Sequence, residues 1–287
     1  MRAMRVQRLV LIFCVVSLST SAQQFSPPTA ANGPQTASII QQSLMALTRG
    51  LPVTDVTMTG AYAVTSASGT QSGTITMVAT ASGQGRSTVT MPSGTYSEAR
   101  RISAGSASMI ETGPDGVPHA ITTQTAVSPN PAWFCPALVL AAASSPFYSS
   151  SYLGQETLNG EVVPHLAVWW QPGSGATSAI LMQFWQQATR HDIYLDASSL
   201  LPVSMTFLLH PYDKENPNKP LMTYRGSNSD RTVELLFSDY QVVQGRSVAF
   251  HIHSTLRTAI SEVISDIQIS SATFNTGVII DIPSAVN

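Results

Sequence analysis

From Val53 onward the apolar residues recur at every second position in short runs, and each run ends at a break rich in glycine, proline or small polar residues. Val56, Met58, Tyr62 and Val64 share one face, while Thr57, Thr59, Ala61 and Thr65 share the other. Because successive strand side chains point to opposite faces, this is the signature of a half-buried antiparallel strand. A turn at Ala67-Ser68-Gly69 leads to Ile75, Met77 and Ala79. Breaks at Ser82-Gly83 and Ser93-Gly94 bound the segments 86–91 and 95–102, and Pro114-Asp115-Gly116 turns 107–111 back into 117–123. Asn159-Gly160 is a strong two-residue hairpin signal joining 152–158 to 161–171, because both residues tolerate positive φ. Val203, Met205, Phe207 and Leu209 alternate again. A strand through Val233, Leu235 and Phe237 turns at Gln244-Gly245 into Val248, Phe250, Ile252 and Leu256, and Val263, Ile267 and Ile269 supply a last strand ending near Phe274-Asn275. The predicted class is mainly antiparallel β, with helices as minor elements (α+β).

Three stretches break the rhythm. Ala37, Ile40, Leu44, Leu47 and Leu51 recur at helical spacing, with Thr36 or Ser38 available to cap the first turn and Gly50-Leu51-Pro52 to stop the helix. In 128–148, Pro129, Pro131, Pro136 and Pro146 bracket the apolar piece 137–143, which predicts a short helix or plug. Leu181, Phe184, Trp185 and Ala188 suit a helix over 180–190, and the polar loop 211–220, which holds Lys214 and Lys219, should be exposed. No charge run or long linker divides the chain, so one domain is expected.

Arg2, Arg5 and Arg8 precede the apolar run 9–18, and small residues follow to Ala22, the layout of a secretory signal peptide over 1–22. That run is about half the ~20 residues a membrane-spanning helix needs, and no comparable run occurs later, so no integral membrane segment is expected in the mature chain. Residues 23–35 read as a flexible leader. Export to the periplasm, or beyond the cell, is the implied location. Losing the three leader arginines would leave 11 basic groups against the 16 acidic ones. No basic field exists to hold a nucleic-acid backbone, and nucleic acid is excluded as a main partner. Charged residues are only 10% of the chain against about 25% in ordinary domains, while 43% are hydrophobic, a balance that favours folding over disorder. One cysteine, Cys135, survives removal of the leader. Its apolar setting, Trp133-Phe134-Cys135-Pro136, favours an inert core thiol over a nucleophile.

Local catalytic signatures are missing: no Gly-x-Ser-x-Gly elbow, Ser-x-x-Lys, His-Glu-x-x-His, phosphate loop or Cys-x-x-Cys pair occurs. No cofactor is implied and no catalytic residue is assigned. His251 and His253 stand at i and i+2 on one strand face, the minimum for two metal ligands, although polar outward residues explain the pair equally simply. Asp192 and Asp196 flank Tyr194, where turn or cap duty is expected. Arg100-Arg101 beside Glu98 suits either an anionic head-group contact or a surface ion-pair cluster. Met58, Tyr62, Met77, Met91, Trp170, Met205 and Phe207 all fall on apolar strand faces. Adaptable Met with flat aromatics suits an ordinary core or a pocket for an apolar ligand, and periodicity does not separate the two.

The run Asp192-Ile193-Tyr194-Leu195-Asp196 with Leu200-Leu201-Pro202-Val203, then Phe237-Ser238-Asp239-Tyr240, Gly245 and Ser271-Ala272-Thr273-Phe274-Asn275-Thr276-Gly277, resembles the end of exported bacterial proteins of the LolA/LppX type, a superfamily that includes the RseB sensor domain. The resemblance is best over 190–277. It implies an incompletely closed antiparallel barrel over 36–283, with an N-terminal helix and short helical segments covering an apolar cavity. It also implies a non-enzymatic binding protein whose partner is a lipid or lipoprotein acyl chain. An envelope protein-interaction or sensing module without lipid is the alternative, and an exported hydrolase a third. No family binding residue carries over by position, and the stretch 128–148 is a departure that could fill the cavity.

Overall fold

The computed structural model describes residues 33–103, 106–121, 132–171, 186, 189–209, 231–258 and 261–282. The expected signal peptide over 1–22, most of the expected leader, most of 180–190 and the loop 211–220 lie outside these residues. The chain runs α1 (Pro34–Thr48), β1 (Asp55–Ser66), β2 (Gly69–Thr80), β3 (Gly85–Met91), β4 (Gly94–Ser103), β5 (Ser106–Thr112), β6 (Pro118–Ile121), α2 (Pro136–Ala142), β7 (Tyr148–Leu158), β8 (Glu161–Trp170), β9 (His191–Leu195), β10 (Pro202–Leu209), β11 (Arg231–Val243), β12 (Arg246–Arg257) and β13 (Glu262–Phe274).

Tight turns set the sequence-adjacent pairings. Asn159 (φ 52°) and Gly160 (φ 88°) are both left-handed, as are Gln244 (φ 48°) and Gly245 (φ 78°). Two consecutive positive φ values match the right-handed twist of the flanking strands, so these hairpins form without splaying. The 13 described strands join one antiparallel sheet in the order β6-β5-β4-β3-β2-β1-β13-β12-β11-β10-β9-β8-β7. Two meanders, β1–β6 and β7–β13, therefore meet at a single seam where the first strand pairs with the last. Among the described strands the edges are β6 and β7, and the chain between them carries α2. The sheet is an open half barrel.

The seam registers Val56 against Phe274 and Met58 against Ala272, with a bulge at Thr59/Gly60. Gly60 is required there: a Cβ would sit 2.3 Å from the Gln268 carbonyl oxygen. Below the bulge, the Asp55 carboxylate accepts from the Thr276 N–H (2.9 Å), the Thr276 hydroxyl (3.0 Å) and the Gly277 N–H (3.1 Å).

Helix α1 starts at Pro34 with Gly33 in the cap position and no side-chain cap, whereas Thr36 or Ser38 was expected to cap it. Proline's fixed φ and missing N–H suit the first helical position, which moves the start upstream. Thr36 is then inside the helix and buried, where its hydroxyl accepts the Tyr152 N–H (2.9 Å) at the β7 bulge. Ile40, Ser43 and Leu47 form the buried stripe of α1, and the Ser43 hydroxyl donates to the Leu200 carbonyl (2.8 Å). At its far end the Ser247 hydroxyl donates to the Ala46 carbonyl (3.1 Å).

Candidate functional site in the half barrel

The concave face is built by register. Ala79, Met77 and Ile75 of β2 lie opposite Val56, Met58 and Gly60 of β1. Across the seam Ile267, Ile252 and Phe237 are in register, and beside them Leu235, Met205, Ile193 and Leu166 form a second register row on the same face. All of the side chains in these rows are buried. Such a surface would hold an apolar ligand if it were uncovered. It is covered from inside by 132–143: Phe134, Val139 and Leu140 are essentially inaccessible, and Pro136–Leu140 of α2 are buried throughout. The described part of the Pro-rich stretch holds the short helix expected within 128–148, and residues 128–131 lie outside the described residues. A void lined by residues that include Leu47, Met58, Phe134 and Tyr240 has a volume of about 10 Å³, room for about one water.

Of the seven Met and aromatic positions singled out from the sequence, Met58, Met77, Met205 and Phe207 join one buried cluster and Tyr62 packs against it. Met91 and Trp170, each at the end of its strand, are half-buried outside that cluster. His251 and His253 do project from one face. They share Asp266 of β13, whose Oδ1 is 3.2 Å from His251 Nε2 and 2.9 Å from His253 Nδ1. No trio of His, Cys, Asp or Glu suited to a metal occurs among the described residues. Cys135 is buried, and burial pushes its thiol up to about 11. Asp196 makes a turn, accepting from the Ser198 and Ser199 N–H groups and the Ser198 hydroxyl, which hold its carboxyl down at about 2.

Two polar constellations were not legible as groups. On the convex face, His165 of β8 sits between Glu156 (2.7 Å from Nδ1) and Asp192 (2.6 Å from Nε2), with Arg190 also on Asp192 (2.6 Å) and Tyr194 stacked on the imidazole at 4.4 Å. Burial alone would favour the neutral imidazole, but the two carboxylates outweigh it and raise the pKa. Asp192 therefore serves this ion cluster and not a turn. The second group is interior. Arg100 of β4 is 5% exposed, which overturns the surface ion-pair reading for this residue. Adjacent residues on a strand face opposite ways, so an Arg-Arg pair places one guanidinium inward wherever that side is buried. His191 of β9 is 1% exposed and stacks on Phe207 at 4.8 Å. Burial drives its pKa down to about 4.

No described helix is long and apolar enough to cross a membrane. No protein-family profile matches the sequence, and no functionally described protein matches it. Solved structures do. A domain assigned to outer membrane lipoprotein sorting from Vibrio parahaemolyticus is similar over 85% of this chain and 94% of its own, at 13% identity and a TM-score of 0.52. A LolA superfamily protein from Nitrosomonas europaea is similar over 86% and 94%, at 12% identity and a TM-score of 0.48. A DUF1329 family protein from Desulfovibrio piger is similar over 85% and 94%, at 10% identity and a TM-score of 0.49. The chain shares the fold of the Vibrio parahaemolyticus domain, here an open antiparallel half barrel with two helices among the described residues.

Proposed function

We propose that this half barrel is an exported, non-enzymatic binding protein for a long apolar chain, such as a lipid or lipoprotein acyl group, held on the concave face. One observation carries the reading. The Met-rich interior row is covered by α2, a seven-residue helix outside the sheet ladder, carried on the segment between the edge strands and packed against the core cluster. The void lined by Leu47 and Phe134, of about 10 Å³, admits no lipid, and in this reading the ligand takes the place of α2. The magnitudes permit that exchange. Burying Phe134, Leu138, Val139 and Leu140 is worth roughly 6–12 kcal/mol at about 1.5–3 kcal/mol each. A 16-carbon chain at about 0.8 kcal/mol per methylene is worth roughly the same. A short apolar molecule does not match the plug and should not displace it.

The filled interior also favours a second reading, an envelope protein-interaction module that never binds lipid. Native mass spectrometry and lipid extraction of the full-length protein purified from its own host separate the two. A co-purifying acyl lipid supports the first. A stoichiometric envelope protein with no lipid supports the second and ends the first.

A further inference from the structure

A buried cation lines the void between the helices and the sheet. Arg246, the first residue of β12, shares that void of about 10 Å³ with Leu47 of α1, Met58 of β1 and Phe134 and Pro136 of the covering segment, and among the described residues no acidic side chain lines it. Arg246 is only 7% exposed. Its guanidinium lies over the Phe274 ring, 5.1 Å from the centroid, while Nη1 donates to the Gln244 carbonyl (2.9 Å) and Nη2 to the Pro52 carbonyl. The Nε–H is buried and meets no acceptor. Among the described residues, the partners of this cation are two backbone dipoles and a ring face, and none brings a counter-charge.

Carbonyls orient a guanidinium without neutralising it, and a buried N–H left without an acceptor keeps its desolvation cost. The one water that fits the void would meet the Nε–H but add no charge. A carboxylate or phosphate oxygen supplies both the acceptor and the negative charge. The surroundings of the cation say what such an anion should carry. Met58 is in the wall of the same void and stands in register with Met77 of β2, so a chain that starts at Arg246 and passes Met58 runs onto the concave face. Phe134 and Pro136 are part of that wall, so displacing the covering segment also opens the void towards Arg246.

We propose that Arg246 anchors the carboxylate or phosphate head group of an anionic amphiphile whose alkyl chain lies along Met58 and Met77. This rests on the apolar-chain reading above. The two carbonyls and the Phe274 ring hold the guanidinium in place, and the Nε–H remains for the ligand. A purely structural role, tying the β11–β12 turn to the linker after α1, accounts for the carbonyl contacts but predicts no preference between an acid and an alcohol of equal length.

The test compares palmitate, hexadecanol and inorganic phosphate on the delipidated full-length protein. Palmitate is expected to bind about tenfold more tightly than hexadecanol, with Arg246→Gln abolishing the difference and Arg246→Lys retaining part of it. In the wild type, the Arg246 Nε–H resonance should move downfield with palmitate and not with hexadecanol, a readout that needs no variant to fold. Equal affinity for acid and alcohol, a resonance unmoved by palmitate, or a preference that survives in a cooperatively folded Arg246→Gln overturns the anchor and leaves the apolar-chain reading intact. Binding of neither overturns both. Inorganic phosphate raising Tm as much as palmitate at equal concentration assigns the site to a free anion and overturns the amphiphile.

Discussion

Asp55 is the residue on which the seam depends. Its carboxylate gathers the Thr276 and Gly277 N–H groups and the Thr276 and Thr54 hydroxyls, and although burial alone would raise its pKa, these donors hold it below the ordinary carboxylate range. Asp55→Ala should cost about 2–3 kcal/mol, because several charge-assisted hydrogen bonds from Thr276 and Gly277 are lost together, read as a lower urea midpoint at unchanged m. A depressed folded pKa means the contribution is full above the unfolded value near 4 and is lost as pH falls through the folded value. The variant should therefore lose less stability than wild type below about pH 4. The two buried histidines act in opposite directions. His165 has a raised folded pKa, so its contribution is present below about pH 6.5 and disappears as pH rises through the folded value. His191 is held neutral down to about 4, so stability rises with pH between about 4 and 6.5, by roughly 3 kcal/mol for a shift of that size. Urea denaturation across pH should show His191→Asn flattening the acid-side slope and His165→Gln the alkaline one. None of these partnerships is local: Asp55 meets Thr276 across the whole chain, and no spacing rule announces it.

At the scale of elements, local chemistry was the most legible. Asn159-Gly160 and Gln244-Gly245 turn where two left-handed residues are needed, and the alternation through Met58, Met77 and Met205 places these side chains on the buried face. The start of α1 was less legible because Pro34 overrides the side-chain caps downstream. Periodicity also left open whether the Met-rich face encloses a core or a cavity, since the occupant is a separate helix from another part of the chain. That helix makes a prediction of its own. Leu140→Ala should lower the stability of the ligand-free protein by about 2–5 kcal/mol, seen as a lower urea midpoint. The same change should strengthen hexadecanol binding, because a weaker plug is easier to displace. Loss of both stability and binding together would make α2 a simple core element.

At the scale of the molecule, order along the sheet departs from order along the chain at one place only. Val56 pairs with Phe274, and this contact joins wings that otherwise share no ladder. Closing so long a loop carries a high entropic barrier, and sheets dominated by such pairings fold in milliseconds to seconds. A chain ending at residue 261, without β13, should show no cooperative urea transition, because β1 and β12 become two bare edges and the concave face splits. A cooperative transition in that truncated chain would show that each wing is stable alone. The seam has a consequence for biogenesis. Until β13 has been made, β1 is paired on its β2 side only and the two wings are not joined, so if neither wing is stable alone the nascent chain stays threadable. A polypeptide that must pass through a narrow channel before folding would thereby carry its own delay, written into which two strands are neighbours.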